Sequence, residues 1–390
     1  MCSEFSCLNG HVLARSRFLR KLETATGRSP ITALLGPRQC GKTTLARTFG
    51  QGKKATYFDL ESHPDRQRLQ NPEFVLGGVE GLVVLDEVQV LPDVFSALRV
   101  IVDRPDTACR FLILGSASPH MVKAVSETLA GRVEFIELSG FDLTEVGSTD
   151  WEQLWLRGGF PRAFLATSDE DSLAWREGFI RTFLERDIPQ LGITIPAAAM
   201  RRFWTMLSYS HGQIWNASDL ARSLGLSDKT VRSYLDILTG TFMVRQLQPW
   251  FENVGKRQVK SPKIYLRDSG LLHSLLGLPD RHTLLGHARL GASWEGFAVE
   301  QILRVFEPCE AFFWATHSGA EIDLFLIHKG QRLGFEVKFS EAPTITRSMR
   351  IAQQDLRLSQ LWVVHPGRHR YSVDQGLTVI PLAELQQITS

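Results

Sequence analysis

The segment Gly36-Pro37-Arg38-Gln39-Cys40-Gly41-Lys42-Thr43 constrains this chain more than any other, because it fits G-x-x-x-x-G-K-[ST] at every fixed position. The apolar run Ile31-Thr32-Ala33-Leu34-Leu35 precedes it, and the helix-capable run Thr44-Leu45-Ala46-Arg47 follows. A strand, a glycine-containing loop and a helix in that order point to an α/β domain. Backbone N–H groups in such a loop turn inward with no Cβ in the way, and the next helix adds its unpaired N–H groups and positive dipole end. An anion cradle is therefore expected, with nucleotide contacts from Gly36, Pro37, Arg38, Gln39, Cys40, Gly41, Lys42, Thr43 and Thr44. Lys42 is expected to reach the β- and γ-phosphates, and the Thr43 hydroxyl to ligate Mg2+. A glycine-rich turn matching by chance is the competing reading.

Between Ile31 and about Leu138, short apolar runs alternate with longer mixed segments: residues 31–35, 55–58, 82–85, 111–114 and 133–136. Short, nearly continuous apolar strands separated by helix-length segments predict a parallel sheet covered on both faces. Leu82-Val83-Val84-Leu85 ends in Asp86-Glu87, and two carboxylates closing an apolar strand make sense beside a cation or an activated water. Asp86 is expected to hold Mg2+ through its water shell, and Glu87 to polarise the attacking water; the alternative is a pair that caps the next element. A third strand ends in Gly115-Ser116-Ala117-Ser118, which would put Ser116 near the γ-phosphate, unless this is only a serine-rich turn. Arg132 is a candidate transition-state cation for its own or a neighbouring subunit, against the alternative of a solvated arginine.

Composition excludes several classes. At roughly 150 residues per domain, 390 residues suggest two or three domains. Hydrophobic content of 43% with 22% charged residues rules out wholesale disorder. Lys+Arg 44 against Asp+Glu 42 leaves a net charge of +2, which excludes a globally polybasic nucleic-acid binder but not local patches. Cys2, Cys7, Cys40, Cys109 and Cys309 form no CxxC pair, which argues against a disulfide scaffold or zinc ribbon and for a reducing compartment. No apolar run reaches the roughly 18 residues of a membrane span, and the N-terminus lacks a signal-peptide pattern. A cytoplasmic protein without membrane partners is expected.

The chain resembles predicted prokaryotic ATPases of the AAA+ superfamily that carry a C-terminal domain of uncharacterised function. The resemblance rests on Gly36 to Thr44, Leu85-Asp86-Glu87-Val88-Gln89, Leu114-Gly115-Ser116 and Leu129-Ala130-Gly131-Arg132. It continues through Gly158-Gly159-Phe160-Pro161, Arg186-Asp187-Ile188-Pro189 and Ile264-Tyr265-Leu266-Arg267-Asp268-Ser269-Gly270. It implies ATP as the nucleotide, a helical lid closing over it at Gly159-Phe160-Pro161, and a homo-oligomer of the ring type common among such relatives. The third-strand sensor departs from the pattern: Ser116 stands where those relatives usually carry Asn.

From Trp151 to about Ser210 the pattern is helical, with Trp155, Phe160, Phe164, Trp175, Phe179, Phe183 and Trp204 expected in a core. Residues 216–227 then read as a helix closed by a glycine turn. A second helix follows from Asp228 to Leu238, with Val231, Tyr234, Leu235 and Leu238 inward and Lys229, Thr230, Arg232 and Ser233 outward. With strands at 242–247 and 263–266 as a wing, this predicts a winged helix that presents Lys229 and Arg232 to DNA. Between Gln213 and Lys263, eight basic residues (including Lys256 and Arg257) less four acidic ones (including Glu252) leave +4, which suits phosphate contact. A winged helix used only for packing or protein contact is the alternative.

Residues 319–327 and 332–338 read as a hairpin across His328-Lys329-Gly330-Gln331, with Ile322, Leu324, Phe335 and Val337 on one face and Asp323, Glu336 and Lys338 on the other. Two carboxylates and a lysine so placed can bind a divalent metal and activate water. The arrangement resembles the PD-(D/E)xK nuclease superfamily. Glu295 is similar to that superfamily's helix-borne acid, with Glu300 as substitute, although Ile322 stands where a proline is expected. A salt-bridged strand face, or a nuclease shape without activity, is the alternative.

The expected organisation is a P-loop AAA+-type parallel sheet at 1–145, a helical lid at 146–212, a winged helix at 213–275 and a restriction-endonuclease-like α/β domain at 276–390. The leading expectation is a Mg2+-dependent ATPase whose nucleotide state controls a DNA-associated activity. An ATP-switched endonuclease and an ATP-dependent interaction switch without DNA are the alternatives.

Overall fold

Each of the five apolar runs of the N-terminal region is a strand: β1 (Ile31–Gly36), β2 (Ala55–Asp59), β3 (Gly81–Asp86), β4 (Cys109–Ser116) and β5 (Val133–Glu137). All pair in parallel, in the order β2-β3-β4-β1-β5. The computed structural model describes residues 13–105, 107–116, 125–251 and 259–388. Cys2, Cys7, Ala117, Ser118, Glu252, Lys256 and Arg257 lie outside them. Two compact units result, one built on Gly10–Gly140 with Gly240–Phe242, the other on Phe141–Thr239 with Met243–Ser390.

In the first unit, neighbouring residues along each central strand are both buried: Ala33 and Leu34 in β1, Val83 and Val84 in β3, Leu112 and Ile113 in β4. A strand has two faces, so this sheet is covered on both, and the sequence is apolar rather than alternating for that reason. Ile31, Leu35, Val83, Leu85, Phe111 and Ile113 share one core with Phe95 and Leu98 of the helix Val94–Val102. Burying each such side chain contributes about 1.5–3 kcal/mol. The helices α1 (Ser16–Arg28) and α2 (Lys42–Gly50) flank β1.

In the second unit, α3 (Asp169–Thr182) runs into a wider turn at Phe183–Asp187, and α4 (Ala197–Ser208) packs beside it. Phe160, Phe179, Phe183 and Trp204 form a chain of ring contacts with centroid spacings of 4.7, 6.1 and 5.3 Å. These are the aromatics that the helical pattern assigns to a core; Trp175 joins them half-buried, its ring 5.3 Å from Phe179. Two further helices follow, α5 (Ala217–Leu224), capped by Asn216, and α6 (Asp228–Gly240). The buried residues of α6 are Val231, Tyr234, Leu235 and Leu238, the face predicted.

The strands of this unit form one sheet: β6 (Gln213–Ile214), β7 (Val244–Pro249), β8 (Lys263–Leu266), β9 (Glu310–Ala315), β10 (Glu321–His328), β11 (Gln331–Val337), β12 (Gln360–His365), β13 (Tyr371–Asp374) and β14 (Leu377–Pro381). Their order is β13-β14-β12-β11-β10-β9-β7-β8-β6. The expected hairpin is formed by β10 and β11, with His328 opposite Gln331. The strands read as a wing, β7 and β8, also pair antiparallel. Parallel pairing of β7 with β9, Gln248 opposite Phe312, continues the sheet into the C-terminal strands. The long helix α7 (Leu290–Val305) lies against β10 and β11 and is buried along most of its length.

Candidate functional site

In a parallel sheet the strand ends share one edge, and β4 lies between β1 and β3. Ser116 is therefore beside Gly36, on the strand that separates the loop from Asp86. Gly36 needs its missing side chain, since a methyl group there would overlap the Leu138 carbonyl oxygen. Gly41, with φ 99°, makes the turn into α2.

The loop is folded around Lys42. Its buried ammonium donates to the Gly36 and Pro37 carbonyl oxygens at 2.9 and 2.8 Å. The Thr43 hydroxyl donates to Asp86 Oδ2 at 2.7 Å, and Glu87 N donates to Asp86 Oδ1 at 3.0 Å. Burial raises the Asp86 carboxyl above its usual range, against the pull of the Thr43 hydrogen bond. A desolvated carboxylate held against a hydroxyl is the donor pair a hard divalent cation takes, so these residues fit Mg2+. Glu87 adopts φ 53° and ψ 47°, a left-handed conformation costly for a residue with a side chain. Strain of this kind clusters at reacting sites, and here it gives Glu87 a direction different from that of Asp86.

Two participants have no role that the sequence assigns. Gln89 donates through its amide to Glu87 and, at 3.2 Å, to Ser116 Oγ, so it ties the two together. Arg15 braces the loop from below, with Nη1 donating to the Cys40 and Ser139 carbonyls at 3.0 Å each and Nη2 to Gly140 O at 3.2 Å. Its position before α1 carries no motif that would single it out. Cys40 is buried with Sγ 3.5 Å from Leu138 O, and burial raises its thiol, so its place is structural. Arg38 is 3.5 Å from Glu61, and Thr44 is half-buried on α2.

The role of Arg132 in its own site needs correction. Arg132 precedes β5, and its carbonyl accepts from Ile31 N where β1 begins. That is the sheet edge opposite Gly36, about 17 Å away at ~3.3 Å per residue. Its guanidinium is committed to both Asp103 carboxylate oxygens, at 2.7 and 2.9 Å. A residue that enters a parallel strand cannot reach the edge where the loop sits.

The second unit gathers another set of charges. Glu295 from α7, Asp323 from β10, and Glu336 and Lys338 at the end of β11 come together, although a bulge between Ile322 and Phe325 breaks the strict alternation and puts Ile322 in a core with Phe325. Lys338 Nζ donates to Glu336 Oε1 at 2.7 Å, and Val337 N donates to Asp323 Oδ2 at 3.0 Å. Two further members come from β8: Lys263 Nζ is 3.3 Å from both Glu295 Oε1 and Asp323 Oδ1, and the Tyr265 hydroxyl donates to Glu295 Oε1 at 2.6 Å. Burial, then the Asp323 charge, pushes Glu295 and Glu336 up. Three carboxylates face two ammonium groups. The residues do not fit a divalent metal as they stand, because an ammonium already lies against two of the carboxylates. Among the described residues, no group of three or more His, Cys, Asp or Glu side chains is disposed to hold a metal ion. Glu300 belongs elsewhere: buried, it accepts from Arg245 Nη2 at 3.0 Å and lies 3.6 Å from Arg267 Nε.

Comparison with known proteins agrees with the first site. An AAA domain family matches residues 28–147, followed by a Domain of unknown function (DUF8612) at 148–282 and a Domain of unknown function (DUF4143) at 290–385. Uncharacterized protein Mb2031c of Mycobacterium bovis is 50% identical over 383 residues, covering 98% of this chain and 86% of the relative. Uncharacterized protein Rv2008c of Mycobacterium tuberculosis matches to the same extent. The chain belongs to the family of these mycobacterial proteins. Among solved structures, the Walker-type ATPase PABY2304 of Pyrococcus abyssi is 14% identical, covering 68% of this chain and 96% of its own, with a TM-score of 0.50. That is a likeness of fold. An AAA domain on a five-stranded parallel sheet supports ATP binding and ATPase activity in this family member. No helix among the described residues is long and apolar enough to cross a membrane.

Proposed function

We propose that this protein is a Mg2+-dependent ATPase whose nucleotide state controls a DNA-associated activity in the cytoplasm. The observation that carries the ATPase reading is Lys42 turned onto the Gly36 and Pro37 carbonyls beside the Thr43–Asp86 pair. On nucleotide binding, Lys42 exchanges those carbonyls for β- and γ-phosphate oxygens, while loop amides from Arg38 to Thr44 line the anion. Thr43 and Asp86 hold the Mg2+, which when bound neutralises phosphate charge. Glu87 orients the attacking water and accepts its proton, and Ser116, joined to Glu87 through Gln89, reads the γ-phosphate. The segment around Gly159-Phe160-Pro161 is assigned to a lid, and a homo-oligomer remains the assembly that family resemblance implies. The deciding experiment measures ATP hydrolysis by purified protein with and without DNA, using Glu87→Gln as control. Stimulation by DNA supports the reading; hydrolysis indifferent to DNA favours the interaction switch.

The DNA assignment is supported by α6. Lys229, Arg232 and Ser233 are exposed there while the opposite face is buried, the disposition of a recognition helix. Lys229→Glu combined with Arg232→Glu is expected to weaken DNA retention and lower the slope of log affinity against log salt by about 2. Filter binding across a salt series checks this, and an unchanged slope discards the surface. The endonuclease alternative needs a divalent cation among Glu295, Asp323 and Glu336, and the Lys263 ammonium stands against it.

A further inference from the structure

The carboxylate cluster of the second unit is built on α7, β10 and β11, but its central cation comes from β8. That strand pairs with β6 and β7, not with the strands that carry the acids. Lys263 is buried, with its ammonium 3.3 Å from Glu295 Oε1 and from Asp323 Oδ1. Tyr265, two residues on and hence on the same strand face, donates to Glu295. Lys338 satisfies one oxygen of Glu336, whereas the buried Oε2 of that residue accepts no hydrogen bond. A divalent ion needs several oxygens at roughly 2.0–2.6 Å, and an ammonium in contact with two of three carboxylates places like charge where that ion would sit.

We propose that the Lys263 ammonium is the resident cation of this cluster and closes it to divalent metal, so that metal enters only when that charge is removed. Asp323 is tied to β11 by Val337 N, and the β10–β11 pairing does not involve β8, so replacing the lysine would leave the acids in place. The consequence is a carboxylate cluster whose metal position is taken by a side chain of the protein itself, and it is independent of the ATPase reading.

The test uses nucleotide-free, full-length protein titrated with Mn2+, followed by the free-ion electron paramagnetic resonance signal and by thermal melting. Wild type is expected to take up no Mn2+ at this site and to keep its melting temperature. Lys263→Met is expected to bind Mn2+ saturably and to melt about 5 °C higher at saturation. Adding Asp323→Asn to that variant should abolish both effects. Lys263→Arg, which keeps the positive charge, should behave as wild type. If Lys263→Met unfolds without metal, recovery of a cooperative melt on adding Mn2+ supports the proposal, and failure to recover overturns it. Saturable uptake by wild type that Asp323→Asn removes, or a folded Lys263→Met that takes up none, also overturns it. So does uptake by Lys263→Arg equal to that of Lys263→Met.

Discussion

Replacing Glu87 with glutamine is expected to lower ATP turnover by at least about 100-fold while leaving ATP affinity within about threefold. The amide matches the carboxylate in size and keeps its link to Gln89, but it cannot take a proton from water. The left-handed backbone at this residue is retained, since the substitution leaves the Cβ unchanged. Lys42→Ala should behave differently. The ammonium that bonds the Gly36 and Pro37 carbonyls is a binding group, and its removal is expected to abolish measurable ATP binding as well as turnover. Equilibrium binding of a fluorescent ATP analogue, run beside phosphate release, separates the two. A Glu87→Gln variant that hydrolyses ATP at the wild-type rate removes Glu87 as the base.

The largest stability effect is expected at Glu300. Burial opposes its ionisation, yet Arg245 and then Arg267 hold its carboxyl down to about 2. Removing one partner of a buried pair leaves charge uncompensated, so Glu300→Gln is expected to cost about 3 kcal/mol at neutral pH. The sign with pH follows from the lowered value: the contribution is complete above about 4.5 and is lost as pH falls from about 4.5 to 2. Glu295 and Glu336, pushed up by burial, act in the opposite direction in both proteins. The difference between wild type and Glu300→Gln isolates Glu300, and it should shrink below pH 4.5 in denaturant titrations. A difference constant from pH 7 to pH 3 contradicts the ion-pair account.

The loop at Gly36–Thr43, the five strands and the inward face of α6 were legible because each depends on local spacing or periodicity. Asp86 and Glu87 were legible because carboxylates at the end of an apolar strand have few physical uses. The third strand's place between β1 and β3 is set by pairing across more than twenty residues, which no local pattern encodes, and Gln89 gains its meaning only from that placement. Arg132 could have been placed from strand polarity alone, since a residue entering a parallel strand lies away from the loop edge. Glu300 shares a helix with Glu295, which makes it a candidate substitute acid from sequence alone. Their separation by five residues puts them on different sides of α7, and Glu300 meets Arg245 instead. Lys263 and Tyr265 lie on the strand that local pattern makes part of a wing, but their reach toward Asp323 and Glu295 depends on β7 joining β9, a parallel pairing distant in sequence.

That junction has a practical consequence for dissecting the protein. A fragment starting near residue 276 would lose β7 and β8 and expose the backbone N–H and C=O groups along β9, an invitation to intermolecular strand addition and precipitation. A fragment ending there would strip the hairpin of the neighbour that shields it. Truncations made near residue 141 spare every rung of the ladder.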